Sequence, residues 1–374
     1  MPLSDLRICV AILALLAAAP CALAQATNND TELAPLFAEH GILDVTIRAP
    51  LTTLMDVRPD EEYLSGTFSY TERDGTTKEL SLKLRTRGNY RRDPEHCTFA
   101  PIRINFKQGE VAGTIFEGQD KLKIVTHCRA QDKRYEQLVA REYMTYRLLQ
   151  ELTRMSYAVR IFRITYVDTE NGEDLTRLAF AIEDDEAVAN RNGLRVVKVK
   201  SVQPEQLDRH RQNFVHVFEY MIGNTEYSFV NPEPDKDCCH NMDMLSVTGE
   251  PPYLPLPFDH DFSGMVNAPY AQPNPRYPIR IVRTRFYKGV CANNDILPAT
   301  LQLFLDQRSA VEKAVSEATF LSGRSRRSVR QYLKDFFDKI SRSERVRREL
   351  LEQCNEREDS YAETPGSGPQ LPAH

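Results

Sequence analysis

Beyond residue 24 the chain has no segment apolar enough to cross a bilayer as a helix, which argues against a helical membrane protein. It has no excess of one charge. Lys and Arg number 48 against 53 Asp and Glu, a net charge of −5, so composition gives no pull toward a polyanion and no nucleic-acid partner is expected. It has no CxxC spacing, which disfavours a structural zinc site. The Gly-x-Ser-x-Gly elbow and the His-Glu-x-x-His motif are both missing, and with them the serine hydrolases of that type and the zincins. No internal repeat is visible, so a solenoid is set aside.

What is present begins with an export pattern. Arg7 precedes an apolar run from Ile8 to Pro20, and Ala22-Leu23-Ala24 has the small-x-small form of a cleavage site. The run is too short to span a hydrocarbon layer of about 30 Å. Residues 1–24 are therefore expected to be a signal peptide, with Gln25 first in a secreted or periplasmic protein that keeps no transmembrane segment. Cys9 and Cys21 leave with the signal. Cys97, Cys128, Cys238, Cys239, Cys291 and Cys354 remain, an even set that predicts disulfides in an oxidising compartment. Adjacent Cys238 and Cys239 are expected to serve two different partners, because a bond between neighbours is strained.

Alternation of apolar and polar residues predicts strands around Val45–Ile47, Leu80–Leu84, Ile102–Phe106, Leu122–Val125, Phe162–Val167 and Leu178–Ile182, forming an antiparallel sheet with one buried face. One helix, Tyr135–Leu152, interrupts them. Helices are expected again over Pro204–Met221, Ala299–Phe320 and Ser328–Ile340. The last places Val329, Leu333, Phe336, Phe337 and Ile340 on one face. A β-rich unit over 25–185, a mainly helical unit over 186–355 and a disordered polar tail over 356–374 follow from this order.

Three stretches carry chemistry. In Leu84-Arg-Thr-Arg-Gly-Asn-Tyr-Arg-Arg92, followed by Pro101-Ile-Arg-Ile-Asn-Phe-Lys107, a strand ends at a glycine among cations, which suits phosphate. The bland reading is a solvated basic hairpin. In Lys121-Leu-Lys123 and the helix after it, Glu142 lies in register with Leu138 and Leu149, within an apolar stripe where a carboxylate needs a partner. A strand lysine reaching it would make an ion pair of the kind that positions nucleotide phosphates. The third is Met221-Ile-Gly-Asn-Thr-Glu-Tyr-Ser-Phe-Val-Asn231, then His240-Asn241, then Pro257-Phe-Asp-His-Asp-Phe-Ser-Gly264. Carboxylates with an amide oxygen form a hard-cation site for Mg²⁺ or Mn²⁺, and a further carboxylate can hold a substrate hydroxyl. Capping turns are the competing explanation.

The Arg-Gly-Asn stretch, the Arg-Ile-Asn-Phe strand and Pro-Phe-Asp-His-Asp resemble the spore-coat protein H (CotH-type) kinases, and Ile222-Gly-Asn-Thr-Glu226 resembles the catalytic segment of HipA-type kinases. The resemblance spans residues 80–265 as scattered short motifs. It implies an α+β, two-lobed atypical protein-kinase-like fold, with an antiparallel β N-lobe holding one inserted helix and a mostly helical C-lobe. It implies Lys121 or Lys123 on ATP phosphates beside Arg87, with Glu142 as the helix partner and Ala181-Ile182-Glu183 as the adenine hinge. Glu226 would be the catalytic base, and Asn231 or Asn241 with Asp259 or Asp261 would bind Mg²⁺ or Mn²⁺. The expected activity is phosphate transfer from ATP to a hydroxyl of an envelope or extracellular protein. Both families carry Asp where this chain has Glu226, one methylene longer, so a catalytically degenerate binding or scaffold protein is the first alternative. A metal-dependent hydrolase built on His240, Asp259, His260 and Asp261 is the second.

Overall fold

The computed structural model describes residues 33–72, 74–230 and 238–358. The expected signal peptide, Asn231 and the tail beyond residue 358 lie outside these.

Seven strands form a closed barrel in the order β1-β2-β3-β4-β5-β7-β6. They are β1 Leu43–Ala49, β2 Leu64–Thr71, β3 Thr77–Thr86, β4 Ile102–Phe106, β5 Lys121–Val125, β6 Val159–Asp168 and β7 Asp174–Ile182. Period-two alternation sends Val45, Ile47, Leu80, Leu82, Leu84, Ile102, Ile104, Leu122 and Ile124 into one interior core. The helix α1 Leu51–Val57 follows β1, and the short α2 Gln108–Val111 lies between β4 and β5.

This corrects the expected fold. The protein is not a two-lobed kinase-like fold with an antiparallel β N-lobe. Its sheet is a mixed barrel, closed by parallel pairing of β1 with β6 from Leu43↔Phe162 to Ala49↔Asp168. A polar device reinforces the closure. Asp168, at the end of β6, accepts hydrogen bonds from the Leu51 and Thr52 backbone amides at 3.0 and 3.1 Å and from Thr52 Oγ1 at 2.6 Å. It thus caps the first turn of α1, where amides lack helical partners and negative charge is favoured.

The long helix α3 Arg134–Leu152 covers the outside of β6 and β7. These two strands are therefore buried on both faces, which is why Val159–Phe162 and Leu178–Ile182 read as almost unbroken apolar runs. The outer faces of these strands share one core with the helical half. That half contains α4 Asp185–Arg191, α5 Arg209–Ile222, α6 Leu297–Asp306, α7 Arg308–Glu317, α8 Gly323–Ile340 and α9 Ser343–Val346. The span expected as one helix over Ala299–Phe320 is two, broken at Gln307. A separate sheet, β10-β9-β8, consists of β8 Arg195–Val197, β9 Met242–Ser246 and β10 Leu254–Pro257. Its β10 carries Pro255 and Pro257 and sits at the edge, where a missing donor costs least.

Disulfides join Cys97 to Cys128, Cys291 to Cys354 and Cys238 to Cys239. The last corrects the expectation of separate partners for the adjacent pair: with a cis peptide between them, the two Cα atoms lie 3.0 Å apart and the sulfurs join each other. Paired cysteines are compatible with an extracellular or periplasmic location. No helix of the described residues is long and apolar enough to cross a membrane.

Candidate functional site

The pairing register of the barrel sets the cations. Arg85 on β3 lies opposite Arg103 on β4, and Arg103 lies opposite Lys123 on β5. Because Ile102, Ile104 and Ile124 fill the interior, these side chains project outward as a cross-strand row. Like charges directly opposite each other repel, so such a row needs an anion or a compensating carboxylate. Arg85 is occupied by the Tyr63 ring and the Thr86 carbonyl. Arg103 and Lys123 have no side-chain hydrogen bond or ion pair among the described residues, and Arg103 Nε is buried without a partner. Burial lowers the Lys123 ammonium, opposed by Asp185 and Asp243 and aided by Arg87. Burial likewise lowers Arg87, which feels Asp259 favourably and both Arg103 and Arg91 unfavourably. Arg87, Arg103 and Lys123 thus form one cationic group. Lys121, two residues before Lys123, is exposed.

The carboxylates come from elsewhere. After β10 the chain does not continue as a strand. Asp259 takes a positive φ of 59°, and its amide donates to Tyr146 Oη at 2.8 Å. That turn brings Asp259 and Asp261 together, although strand alternation was not available to do so. Asp261 is buried and accepts from Tyr270 Oη at 3.0 Å. Burial, then repulsion from Asp259, pushes Asp261 up to about 7 against the attraction of Arg91.

Glu142 on α3 is buried, and burial and Asp261 raise it well above the usual carboxylate range. Its partner is Arg91, at 3.5 Å, not a strand lysine. Arg91 also lies 3.7 Å from Asp261 and donates to the Thr126 carbonyl. A strand lysine was the partner that the resemblance implied. Lys123 projects outward beside Arg103 and Arg87, and the turn after β3 supplies Arg91 instead.

Asn241 has a positive φ of 52° and donates through Nδ2 to the Glu226 carbonyl at 2.8 Å. The Glu226 amide donates to Asn224 Oδ1 at 3.0 Å. The charges of Asp261 and Glu226 both act on the Tyr90 hydroxyl. Glu183 is committed to the fold. Its carboxylate binds Arg191 at 2.9 and 3.0 Å and accepts from the Ala158 amide, and its own amide donates to the Ala158 carbonyl. Asn231 lies outside the described residues.

Sequence reading did not single out Arg91, Arg103, Asp185 or Asp243. The two arginines lay inside the quoted motifs, and alternation in Ile102–Phe106 was enough to place Arg103 outside the barrel. Asp185 resembles an ordinary first-turn residue of α4, and Asp243 carries no local signal. Asp243 accepts from Tyr157 Oη, and Lys198 reaches Asp185 at 3.1 Å and Asp243 at 3.9 Å.

No group of three or more His, Cys, Asp or Glu among the described residues is placed to hold a metal. Two adjacent carboxylates do fit Mg²⁺, which keeps waters and takes one or two carboxylates together with substrate phosphates. His260 is buried behind this turn. Its Nδ1 is 2.8 Å from Thr145 Oγ1, its ring packs on Tyr146 and Phe218, and burial lowers it to about 3.

Beneath that ring, Glu219 Oε1 lies 3.9 Å from His260 Nε2, both fully buried. Burial pushes Glu219 up to about 8, with Asn224 and Lys288 opposing. Folding raises this pKa, so the group favours the folded state in full below the usual carboxylate value, and that contribution is lost as pH rises through about 8. Glu219→Gln keeps the shape without the titration. The melting temperature of the Gln variant minus that of the parent should widen by on the order of 5 °C between about pH 5 and about pH 8.5. A pH-independent difference in scanning calorimetry would contradict this.

No family model and no curated protein matches the chain.

Proposed function

We propose that the protein binds ATP with Mg²⁺ and transfers the terminal phosphate to a hydroxyl of an extracytoplasmic protein. The observation that carries the reading is the group Arg87, Arg103 and Lys123, buried or half-buried cations without a side-chain hydrogen bond or ion pair among the described residues, with Arg87 drawn to Asp259. Fold gives no support here, and the argument lies in the site.

In this reading Lys123, Arg103 and Arg87 hold phosphate oxygens, and Asp259 and Asp261 hold the cation. Mg²⁺ held there would offset the charge of the phosphates. Glu226 accepts the proton of the acceptor hydroxyl as that oxygen bonds to the terminal phosphorus and the bond to the bridging oxygen breaks, releasing ADP. Arg91, fixed between Glu142 and Asp261, keeps the aspartates in place.

Calorimetric titration of ATP in the presence of Mg²⁺ tests this. The parent should bind saturably, and Lys123→Met should weaken binding by about tenfold or more, the scale of one charge-assisted contact in a buried site. Absence of saturable binding at millimolar ATP would remove the proposal. Phosphoester turnover without ATP would replace it with the hydrolase alternative.

A further inference from the structure

Away from this site, the segment around Arg283–Arg285 runs along the last turns of α8 and borders an open cleft of about 510 Å³. That lies within the ~300–1,000 Å³ typical of small-molecule sites. Its cations are Arg283, Arg285, Lys339, Arg342 and Arg345, against Asp335 and Asp338. Two of these seven charges are already matched outside the cavity: Lys339 binds Glu349 at 2.7 Å, and Asp338 binds Lys334. Four arginines then face one carboxylate. Arg342 and Arg345 have no side-chain acceptor among the described residues.

The inner wall is rigid. Arg283 and Arg285 stack on the Tyr332 ring, with guanidinium carbons 4.8 and 3.7 Å from its centre. Arg285 also donates to the carbonyls of Met221 at 3.1 Å and Tyr332 at 2.6 Å. The ring itself is wedged. A Cβ at Gly223 would meet Tyr332 Oη at 1.9 Å, and one at Gly264 would meet it at 2.4 Å. Gly223 has a φ of 70° as the C-cap of α5, so glycine there meets both a backbone and a space requirement. Two guanidinium groups anchored on one wall, Arg285 through Nε and Nη2 and Arg283 through Nη1 to the Gly264 carbonyl at 3.4 Å, and two arginines without a side-chain acceptor on the other gather four cations around the cavity.

We propose that this cavity is a second anion site, which binds a small ligand carrying two or more linked phosphates. The excess of positive charge favours a polyvalent anion over a single phosphate, and the proposal does not depend on the transfer site.

The test is calorimetry with inorganic pyrophosphate and with inorganic phosphate. Titrations use the parent, Lys123→Met, and the surface double variant Arg342→Glu/Arg345→Glu, with melting temperatures as the check on folding. Pyrophosphate should keep one saturable site of parental affinity in Lys123→Met, and that site should weaken at least about tenfold in the double variant at an unchanged melting temperature. Phosphate should bind the parent about tenfold or more weaker than pyrophosphate. Three results would overturn the proposal: no saturable pyrophosphate binding, binding unaffected by the double variant, or equal affinity for phosphate and pyrophosphate. Loss of pyrophosphate binding in Lys123→Met alone would assign the ligand to the transfer site and also sink it.

Discussion

Asp259→Asn and Asp261→Asn are expected to abolish Mg²⁺-dependent binding of ATP, a loss of about 100-fold or more, while the protein stays folded. A hard cation held by two carboxylates loses half its protein charge when either becomes an amide. For Asp261 the fold itself gives no reason for collapse. Burial and Asp259 already disfavour its ionised form, so a neutral isostere removes an electrostatic cost while Asn can still accept from Tyr270. Glu226→Gln separates chemistry from binding. Its carboxylate is assigned to the acceptor hydroxyl and not to the phosphates or the cation, so ATP affinity should hold while transfer falls by about 10²–10⁴, the range for a positioned base. Calorimetry and a phosphate-transfer assay on the three variants decide it. If both Asn variants bind Mg·ATP like the parent, Asp259 and Asp261 are turn and capping residues. If Glu226→Gln transfers at the parental rate, another group is the base.

The second large effect is on stability, with a consequence for the site. Cys97 and Cys128 are buried and close a loop of 31 residues, so replacing both with Ala should cost about 3–4 kcal/mol on a chain-entropy basis. This bridge ties the segment after β3, which carries Arg87 and Arg91, to the segment between β5 and α3. The same two segments share the hydrogen bonds from Phe99 N to Cys128 O and from Arg91 to Thr126 O. Cys291 and Cys354 close a longer loop of 63, worth about 4 kcal/mol, far along the chain from the cationic group. Denaturant unfolding should therefore show comparable losses for the two double-Ala variants. ATP binding should weaken only in Cys97→Ala/Cys128→Ala. Equal ATP affinity in both variants would mean that the bridge does not position the arginines.

The elements themselves were largely legible in the chain. Leu80, Leu82 and Leu84 alternate with polar residues and form the interior of β3. The apolar stripe from Val329 to Ile340 is the buried face of α8. Periodicity reports which face a residue presents, and that survives whatever the fold does. Strand partners were not legible, because the register of β1 against β6 joins residues more than a hundred positions apart, and nothing local distinguishes a closed mixed barrel from an open antiparallel sheet. The kinase-like expectation failed at that step. It rested on scattered short motifs, which do not fix strand pairing, and many arrangements share one order of elements.

The candidate site divides along the same line. Sequence alone determined the ingredients: a basic strand end at Arg87, cations at alternating positions on β4 and β5, a carboxylate on an apolar helix stripe at Glu142, and Asp259 and Asp261 after an apolar run. These follow from residue type and local period. Tertiary structure decided the partners. Glu142 pairs with Arg91 because the turn after β3 folds over the N-terminal half of α3. Glu183 is consumed by Arg191 because α4 turns back on β7. Arg103 faces Lys123 because two strands pair in that register. Cys238 bonds to Cys239. Each pairing depends on distances set by packing of remote segments, and a Coulombic or hydrogen-bonded contact has no signature in sequence until packing has fixed the distance.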